Sequence, residues 1–282
     1  MKSGLSRTAI TALAVAALSF AAAGASHAAN PAYTPSVGQE GKDVIWVPTP
    51  QSLVERMLTV ANVTPQDFVV DLGSGDGRTV ITAAKKFGAR ALGIEYNPDM
   101  VALSQSNAEK EGVAGRAQFK RADIFATDFS QATVVTMYLL PSLNLKLRPK
   151  LLDMKPGTRV VSHAFSMDDW QPDQTETSEH RTAYLWIVPA KLAGRWRIDL
   201  IGANPARYDV ELMQHFQMLE GEARAGASKL PVRGGKVKGE EVTFTVGDGA
   251  DARTFTGKYV GERLEGTSRG GSEATWTATR LK

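Results

Sequence analysis

The sequence predicts a doubly wound α/β sheet followed by a small antiparallel all-β domain, either a barrel or a sandwich. An apolar run at residues 68–70 ends in a carboxylate, breaks into alternate glycines and passes into a helically spaced segment, residues 78–87. This pattern is typical of the start of a βαβ unit. After about residue 192, short β-rich runs alternate with glycines, and fourteen of the 26 glycines lie from Gly194 to Gly271. That spacing indicates an antiparallel meander.

The first 28 residues are predicted to be a signal peptide. Lys2 and Arg7 precede an alanine-rich apolar stretch at residues 9–25, and Ser-His-Ala at residues 26–28 puts small side chains where a signal peptidase cuts. We therefore expect export to a bacterial periplasm, with no membrane span left after cleavage. An uncleaved inner-membrane anchor is the alternative, because the apolar stretch is marginally long enough to cross a bilayer.

The rest of the chain divides into three predicted parts. Residues 29–43 form a flexible lead-in, residues 44–191 the α/β domain and residues 192–282 the all-β domain. At the start of the α/β domain, Thr49 is predicted to cap a helix that has Pro50 as its first residue. Trp46 and Thr49 serve either in such capping and packing or in lining a binding site.

The glycine turn carries the main chemical signal. Its pattern is Gly73-x-Gly75-x-Gly77, with Asp71 before it and Asp76 within it. A dinucleotide site has Gly-x-Gly-x-x-Gly and places a pyrophosphate on the helix N-terminus, which two carboxylates would repel. The acids suit a ligand with an ammonium group and no phosphate, and S-adenosylmethionine (SAM) is such a ligand. A strand-to-helix turn that binds nothing is the alternative.

Two further acids follow the next predicted strands. The strand at residues 91–95 ends in Glu95, and Asn97-Pro98 begins another helix. An acid in this position of a βαβ unit hydrogen-bonds ribose hydroxyls. The third strand ends in Asp123, which is predicted to accept a hydrogen bond from an adenine amino group. Acids that close three successive strands favour a nucleoside site over isolated surface charges.

These segments resemble the seven-strand SAM-dependent methyltransferases, which have a Rossmann-like fold. The residues that carry the resemblance are Asp71-Leu-Gly-Ser-Gly-Asp-Gly-Arg78, Gly93-Ile-Glu95 and Arg121-Ala-Asp-Ile124. Trp46-Val-Pro-Thr-Pro50 and Tyr138-Leu-Leu-Pro141 extend it towards the ATP synthase c-subunit lysine methyltransferases and their bacterial relatives. The general resemblance covers roughly residues 42 to 190.

The resemblance implies a transferase that moves a methyl group from SAM to an acceptor. Its cofactor-binding residues would be Asp71 at the ammonium end, Glu95 at the ribose, Asp123 with Ile124 at the adenine, and Gly73, Ser74, Gly75 and Gly77 in the turn. The acceptor suggested by the closer group is a protein lysine amine, and a small molecule stays open.

The fourth and fifth strands supply the acceptor-side candidates. Tyr138 ends the predicted fourth strand, residues 132–138, and is predicted to position the methyl acceptor, the alternative being an ordinary strand end before a proline turn. His163 ends the fifth strand and is either a general base or a hydrogen-bonded structural residue. The loop at residues 164–180 is expected to cover the acceptor pocket.

Three elements of the second half are placed less directly. A short helix from Ser142 is expected to be interrupted at Pro149. The run at residues 184–188 is predicted to be the sixth strand of the sheet. The segment at residues 195–200 is either its seventh strand or the first strand of the β domain.

The amino-acid composition argues against three kinds of feature: a disulfide framework, a metal site and a nucleic-acid-binding surface. The chain has 282 residues, no cysteine and four histidines, so neither a disulfide framework nor a metal site is expected. Its net charge is +3 without a dense Lys/Arg block, which gives little support for nucleic-acid binding.

A methyltransferase is therefore the predicted function. The alternative is an exported, non-catalytic protein of the same fold, whose β domain binds a ligand or partner. The complete set of acids Asp71, Glu95 and Asp123 favours cofactor binding over that alternative. An NAD-dependent oxidoreductase is disfavoured by the glycine spacing.

Overall fold

A computed structural model describes residues 33–178 and 180–282. The predicted signal peptide and the beginning of the predicted lead-in lie outside the described residues. The helices are α1 (Gln51–Val60), α2 (Arg78–Phe87), α3 (Pro98–Lys110) and α4 (Pro141–Leu152). The strands of the first half are β1 (Phe68–Leu72), β2 (Arg90–Glu95), β3 (Ala117–Arg121), β4 (Val134–Met137), β5 (Arg159–His163), β6 (Gln174–Ser178) and β7 (Arg181–Ile187).

These seven strands form one sheet in the order β3-β2-β1-β4-β5-β7-β6. The first five pair in parallel, and β7 runs antiparallel to both β5 and β6. The chain moves outward from β1 to β3 and then returns to place β4 on the other side of β1. The carboxyl ends of β1 and β4 therefore meet at a topological switch point, where open α/β sheets bind ligands. The predicted doubly wound, Rossmann-like sheet is confirmed.

Side-chain alternation along the strands produces a hydrophobic core on each face of the sheet. Val69 points into the core that contains the buried residues of α1 and α2, whereas Val70 points into the core that contains those of α4. Successive residues of a strand face opposite sides, so an apolar pair in one strand serves both layers.

The edge strand of the sheet is β6, and not the segment at residues 195–200 that was one of the two predictions for the seventh strand. β6 forms the sheet edge as a hairpin with β7, and it lies within the loop that was expected to cover the acceptor pocket. In the same loop Met167 and Trp170 are fully buried. The expectation of a covering loop at residues 164–180 is therefore wrong for most of its length, because apolar side chains fix it to the sheet.

Two predictions about helix ends are also wrong. Thr49 does not cap α1; Pro50 precedes the helix, its carbonyl accepts from the amide of Leu53 (3.0 Å), and no side chain caps the N-terminus. α4 continues past Pro149 to Leu152. Pro149 has no amide to donate, so one intrahelical hydrogen bond is lost, but the chain beyond it still closes a turn through the bond from the Asp153 amide to the Pro149 carbonyl at 3.2 Å.

The second half of the chain is a closed antiparallel barrel. Its strands are β8 (Gly194–Ile201), β9 (Ala206–His215), β10 (Met218–Ala225), β11 (Ser228–Lys238), β12 (Glu241–Val246), β13 (Arg253–Val260), β14 (Arg263–Arg269) and β15 (Ala274–Arg280). Pairing of β15 with β8 closes it, so the segment at residues 195–200 belongs to the barrel. The predicted β domain is thus a barrel and not a sandwich.

Aromatic side chains fill the barrel. The rings of Phe244 and Phe255 stack at 5.1 Å, and Trp276 meets Phe255 edge-on at 5.5 Å. Trp196 is also fully buried in this core. Eight strands enclose a space that side chains can just fill. The interior is therefore a packed core.

Within the part of the chain that the structure covers, every helix is too short or too polar to cross a lipid bilayer.

Candidate active site

A cavity of about 850 Å³ opens at the carboxyl edge of the sheet, at the switch point. Its walls come from the turns after β1, β2 and β4, from residues 122–124 beyond β3, from Phe165 after β5 and from residues 39–49. The size falls within the range of small-molecule sites. One cavity therefore collects the residues predicted to form a single site, with the exception of Gly77.

The glycine turn at the base of the cavity depends on left-handed backbone. Gly73, Gly75 and Gly77 have φ values of 76°, 53° and 84°, a region that side chains rarely adopt. Gly73 and Gly75 line the cavity, whereas Gly77 lies behind it. A Cβ on Gly77 would lie 2.6 Å from Ser104 Cβ and 2.7 Å from Phe119 Cζ. Gly77 therefore serves the packing of α2 against the sheet and does not contact a ligand in the cavity.

Asp71 is buried at the end of β1 and still lines the cavity. Its Oδ1 accepts a hydrogen bond from the Thr136 hydroxyl at 2.6 Å. Burial raises the pKa of Asp71 to about 7, with the charges of Glu95 and Asp76 adding to the effect and hydrogen bonds from Thr136 and Thr79 opposing it. A cation in the cavity would favour the ionised form of this carboxyl.

Glu95 is tied to the backbone on both of its oxygens. Oε2 accepts from the Gly75 amide at 3.0 Å and Oε1 from the Asn97 amide at 2.9 Å. These bonds fix the carboxylate against the glycine turn, where it lines the cavity. Each oxygen keeps a second lone pair that can accept from a hydroxyl group.

Asp123 lies two residues beyond the end of β3, and Ile124 follows it in the cavity wall. Asp123 Oδ1 accepts from the Phe125 amide at 2.8 Å, and Oδ2 pairs with Lys42 Nζ at 2.5 Å. The Lys42 ammonium, through this hydrogen bond, is the main cause of a lowered pKa at Asp123. The carboxylate therefore remains ionised at neutral pH.

Tyr138 directly follows β4 and forms part of the cavity wall. Its ring lies 3.8 Å from the ring of His163 and 6.1 Å from that of Phe165, centroid to centroid. His163 does not line the cavity but stands behind Tyr138, and its Nδ1 is 3.0 Å from the hydroxyl of Thr49. Burial, reinforced by the charge of Arg181, lowers the pKa of His163 to about 4. The geometry favours the structural role for His163, as a neutral support for Tyr138 and Thr49.

Residues of the N-terminal segment were predicted to line the site only as an alternative to capping and packing. Trp46 and Thr49 both line the cavity, and so does Lys42 from the predicted lead-in. A Cβ on Gly75 would lie 2.6 Å from Trp46 Nε1, so the indole lies directly on the glycine turn. Arg78 Nη1 donates to the Thr49 carbonyl at 2.9 Å. The Trp-Val-Pro-Thr-Pro run at residues 46–50 was the available signal, and the structure places it against the glycine turn and the first residue of α2.

The cavity fits SAM in its donor set and its charge. The Ser74 hydroxyl is buried at the turn and has no hydrogen-bond partner among the described residues. The three acids Asp71, Glu95 and Asp123 line the same cavity as two glycines of the turn. These glycines have left-handed backbone, which brings the main chain close to a ligand. A cationic nucleoside with ribose hydroxyls matches this combination better than a pyrophosphate does.

Comparison with known proteins supports this assignment. The ANTKMT methyltransferase domain family matches residues 71–174. A protein-lysine N-methyltransferase of Saccharolobus islandicus (strain REY15A) is 46% identical over 151 residues, which cover 51% of this chain and 94% of that protein. The chain belongs to the SAM-dependent methyltransferases. The human ATP synthase c-subunit lysine N-methyltransferase is 37% identical over 129 residues, and the match spans 45% of this chain and 54% of that protein.

A solved relative agrees with the fold and the cofactor of this methyltransferase. A crystal structure described as an RNA methyltransferase from Salinibacter ruber, in complex with S-adenosyl-L-homocysteine (SAH), has a TM-score of 0.51 and 52% identity. The match covers 52% of this chain and 96% of that one. The family match lies wholly within the sheet half, so the barrel is an addition to the methyltransferase fold of this chain.

Proposed function

We propose that this SAM-dependent methyltransferase methylates the side-chain amine of a protein lysine. The observation that carries the proposal is the charge of the cavity. Among the described residues that line it, six are acidic (Glu40, Asp43, Asp71, Asp76, Glu95 and Asp123) and two are basic (Lys42 and Arg78). Both basic residues are paired with a carboxylate of the same wall, Lys42 with Asp123 and Arg78 with Asp76. These acids lie outside the acceptor end, but the field of a cavity with this excess of negative charge favours the approach of an ammonium group over that of the phosphates of RNA.

The orientation of SAM in the cavity is proposed from the positions of the acidic side chains. We assign Asp71 to the ammonium of SAM, Glu95 to the ribose hydroxyls, and Asp123 with Ile124 to the adenine. Gly73, Ser74 and Gly75 supply the close turn beneath the cofactor. When bound, SAM provides an electrophilic methyl group on a sulfonium centre.

The acceptor end is apolar and aromatic. Tyr138, Phe165 and three leucines (Leu139, Leu140 and Leu143) line it, and none of the described lining residues there is acidic. A lysine amine has an ordinary pKa of about 10.4, and apolar surroundings lower it by disfavouring the charged form. Aromatic faces also attract a cation at close range. Tyr138 would therefore hold and orient the amine while burial promotes loss of its proton to water.

A labelling experiment distinguishes the acceptor classes. The full-length chain is incubated with methyl-tritiated SAM in two parallel reactions. One reaction contains heat-inactivated bacterial protein extract as the acceptor, and the other contains bacterial total RNA. We expect label in protein that is released as methyl-lysine on acid hydrolysis. Label confined to RNA would overturn the lysine proposal in favour of the activity named for the Salinibacter relative.

The controls for that experiment test the cofactor assignments. We expect Asp71→Ala and Glu95→Ala to abolish both saturable SAM binding in calorimetry and the labelling. Lys110→Met, at an exposed site on α3, is the matched control and should leave both unchanged. Normal binding in both alanine variants would refute the placement of SAM in this cavity.

We also propose that the protein is exported to the periplasm. The support is the order of the first 28 residues, in which two basic residues, an apolar stretch and Ser-His-Ala follow one another. Intact-mass analysis of the protein from bacterial cells should show a chain that begins at Ala29. A full-length mass would indicate the membrane-anchored alternative.

A further inference from the structure

Residues 38–46 form a short hairpin, here called the N-terminal hairpin, over one side of the cavity. The Gly38 amide donates to the Trp46 carbonyl, the Trp46 amide to the Gln39 carbonyl and the Gly41 amide to the Val44 carbonyl, each at 2.9 Å. Most of the hairpin residues line the cavity. The hairpin is therefore a wall of the site with its own hydrogen-bonded structure.

The base of the hairpin is held by packing. Trp46 lies on Gly75, at the distance given above, and the following segment is fixed by the bond from Arg78 to the Thr49 carbonyl. Arg78 is itself held by Asp76, with Nη2 to Oδ2 at 2.6 Å. These contacts tie the base to the glycine turn and to α2.

The tip of the hairpin is held differently. Lys42 Nζ pairs with Asp123 Oδ2 at 2.5 Å and lies 5.0 Å from the centre of the Tyr96 ring. The Lys42 and Asp123 side chains are 36% and 30% exposed. An ion pair that is this exposed is weak, so the tip can open while the base stays in place.

Asp123 takes part in two interactions, the ion pair with Lys42 and the proposed hydrogen bond with adenine. It closes the tip through Oδ2, and the same carboxylate is the proposed acceptor for the adenine amino group. Oδ1 is already bonded to the Phe125 amide, so a ligand amino group has to use a second lone pair, of which each carboxylate oxygen has two. Lys42 can therefore remain on Asp123 while a ligand occupies the cavity.

We propose that the N-terminal hairpin is a strap over the cofactor and that the Lys42–Asp123 pair is its latch. The strap slows the release of the nucleoside ligand, and Lys42 is a positioning residue that acts through the hairpin. The inference depends on SAM binding in this cavity, and it adds a role for the chain before the glycine turn.

The test measures dissociation of SAH from the full-length chain by stopped-flow chase. We expect Lys42→Met to release SAH about twofold to fivefold faster, as expected for loss of a partly exposed ion pair. Lys42→Arg keeps the charge and should restore the slow rate. Added salt should accelerate release from the native chain and not from Lys42→Met.

Hydrogen exchange provides a readout independent of activity. Bound SAH should slow exchange at the Gly41 amide, in the tip of the hairpin, in the native chain, and Lys42→Met should reduce that protection. In an Asp123→Asn background, Lys42→Met should have no further effect on either measurement, because its partner is already neutral. Lys110→Met, outside the hairpin, should match the native chain throughout.

Two results would overturn the proposal. Slower release or tighter binding of SAH in Lys42→Met would show that Lys42 competes with the ligand for Asp123. Unchanged rates and unchanged hairpin exchange would show that the pair does not hold the strap. Failure of the native chain to bind SAH would instead refute the placement of the cofactor, and the strap with it.

Discussion

At the residue scale, Asp71 joins the chemistry of the site to the stability of the protein. Its pKa of about 7 lies above the ordinary value of 3.8, because the folded protein buries the carboxyl near two other acids. The folded state therefore binds the proton more tightly than the unfolded state does. Stability from this group is present below pH 3.8 and is lost as the pH rises towards 7.

Replacing Asp71 with Asn should reverse that loss. We expect Asp71→Asn to raise the free energy of unfolding of the SAM-free protein at pH 8, by at most about 4 kcal/mol for a shift of roughly three pKa units. The gain should shrink as the pH falls to 4. Urea unfolding at both pH values measures it, and a difference that does not depend on pH would contradict the burial of an ionisable group at this position. SAM binding should weaken in the same variant.

At the element scale, the strand–turn–helix unit owes its geometry to glycines that serve different purposes. Gly75 allows Trp46 to approach the turn, and Gly77 allows α2 to pack against Ser104 and Phe119. Gly112, after α3, has a similar left-handed backbone with φ of 70° but nothing within 4 Å of a would-be Cβ. Substitution of Gly112 therefore measures the free-energy cost of left-handed backbone alone, whereas substitution of Gly77 adds the cost of steric crowding.

Gly77→Ala should therefore destabilise the protein more than Gly112→Ala. We expect about 2–4 kcal/mol for Gly77→Ala, from left-handed strain together with overpacking, and about 1–2 kcal/mol for Gly112→Ala, from strain alone. Denaturant unfolding of both variants gives the comparison. Equal losses would mean that the neighbours of Gly77 move aside without cost.

At the scale of the whole molecule, one contact of the barrel with the methyltransferase sheet is the turn between β9 and β10. Phe216 of this turn stacks on Trp170 at 6.0 Å between ring centres, and the Arg148 guanidinium lies 5.2 Å from the Phe216 ring centre. Gln217 Nε2 donates to the Gln171 carbonyl at 2.7 Å. Trp170 and Gln171 belong to the loop that follows β5. This loop also contains Phe165 of the cavity wall, whose carbonyl accepts a hydrogen bond from Asn144 Nδ2 at 3.2 Å.

Truncation of Phe216 should loosen this loop and leave the cofactor end intact. We expect Phe216→Ala to lower stability by about 1–3 kcal/mol and to speed hydrogen exchange at the Phe165 and Trp170 amides, with SAM affinity unchanged. Met213→Ala is the matched control, because Met213 is 63% exposed on the outside of β9. Exchange in the loop equal to that of the control would indicate that the barrel is only appended to the sheet.

The sequence by itself determined the elements whose causes are local. The apolar run before Asp71, the alternate glycines and the spacing of residues 78–87 specify β1, the turn and α2, and Gly88 ends α2 with a left-handed φ of 72°. Asn97 caps α3, accepting from the Asp99 amide at 2.9 Å, with Pro98 in the first turn. The acids that close successive strands come together because parallel strands end at one edge of a sheet.

Tertiary structure decided everything that depends on partners far apart in the chain. Thr49 looked like a helix cap, but its hydroxyl is 3.0 Å from His163, 114 residues away. Lys42 reaches Asp123 across 81 residues, and β15 closes the barrel on β8. Periodicity and turn chemistry act over a few neighbours, whereas these contacts form only when packed layers bring distant segments together. For that reason the sequence predicted the cofactor side of the site, and the structure added the hairpin, the support behind Tyr138 and the contact with the barrel.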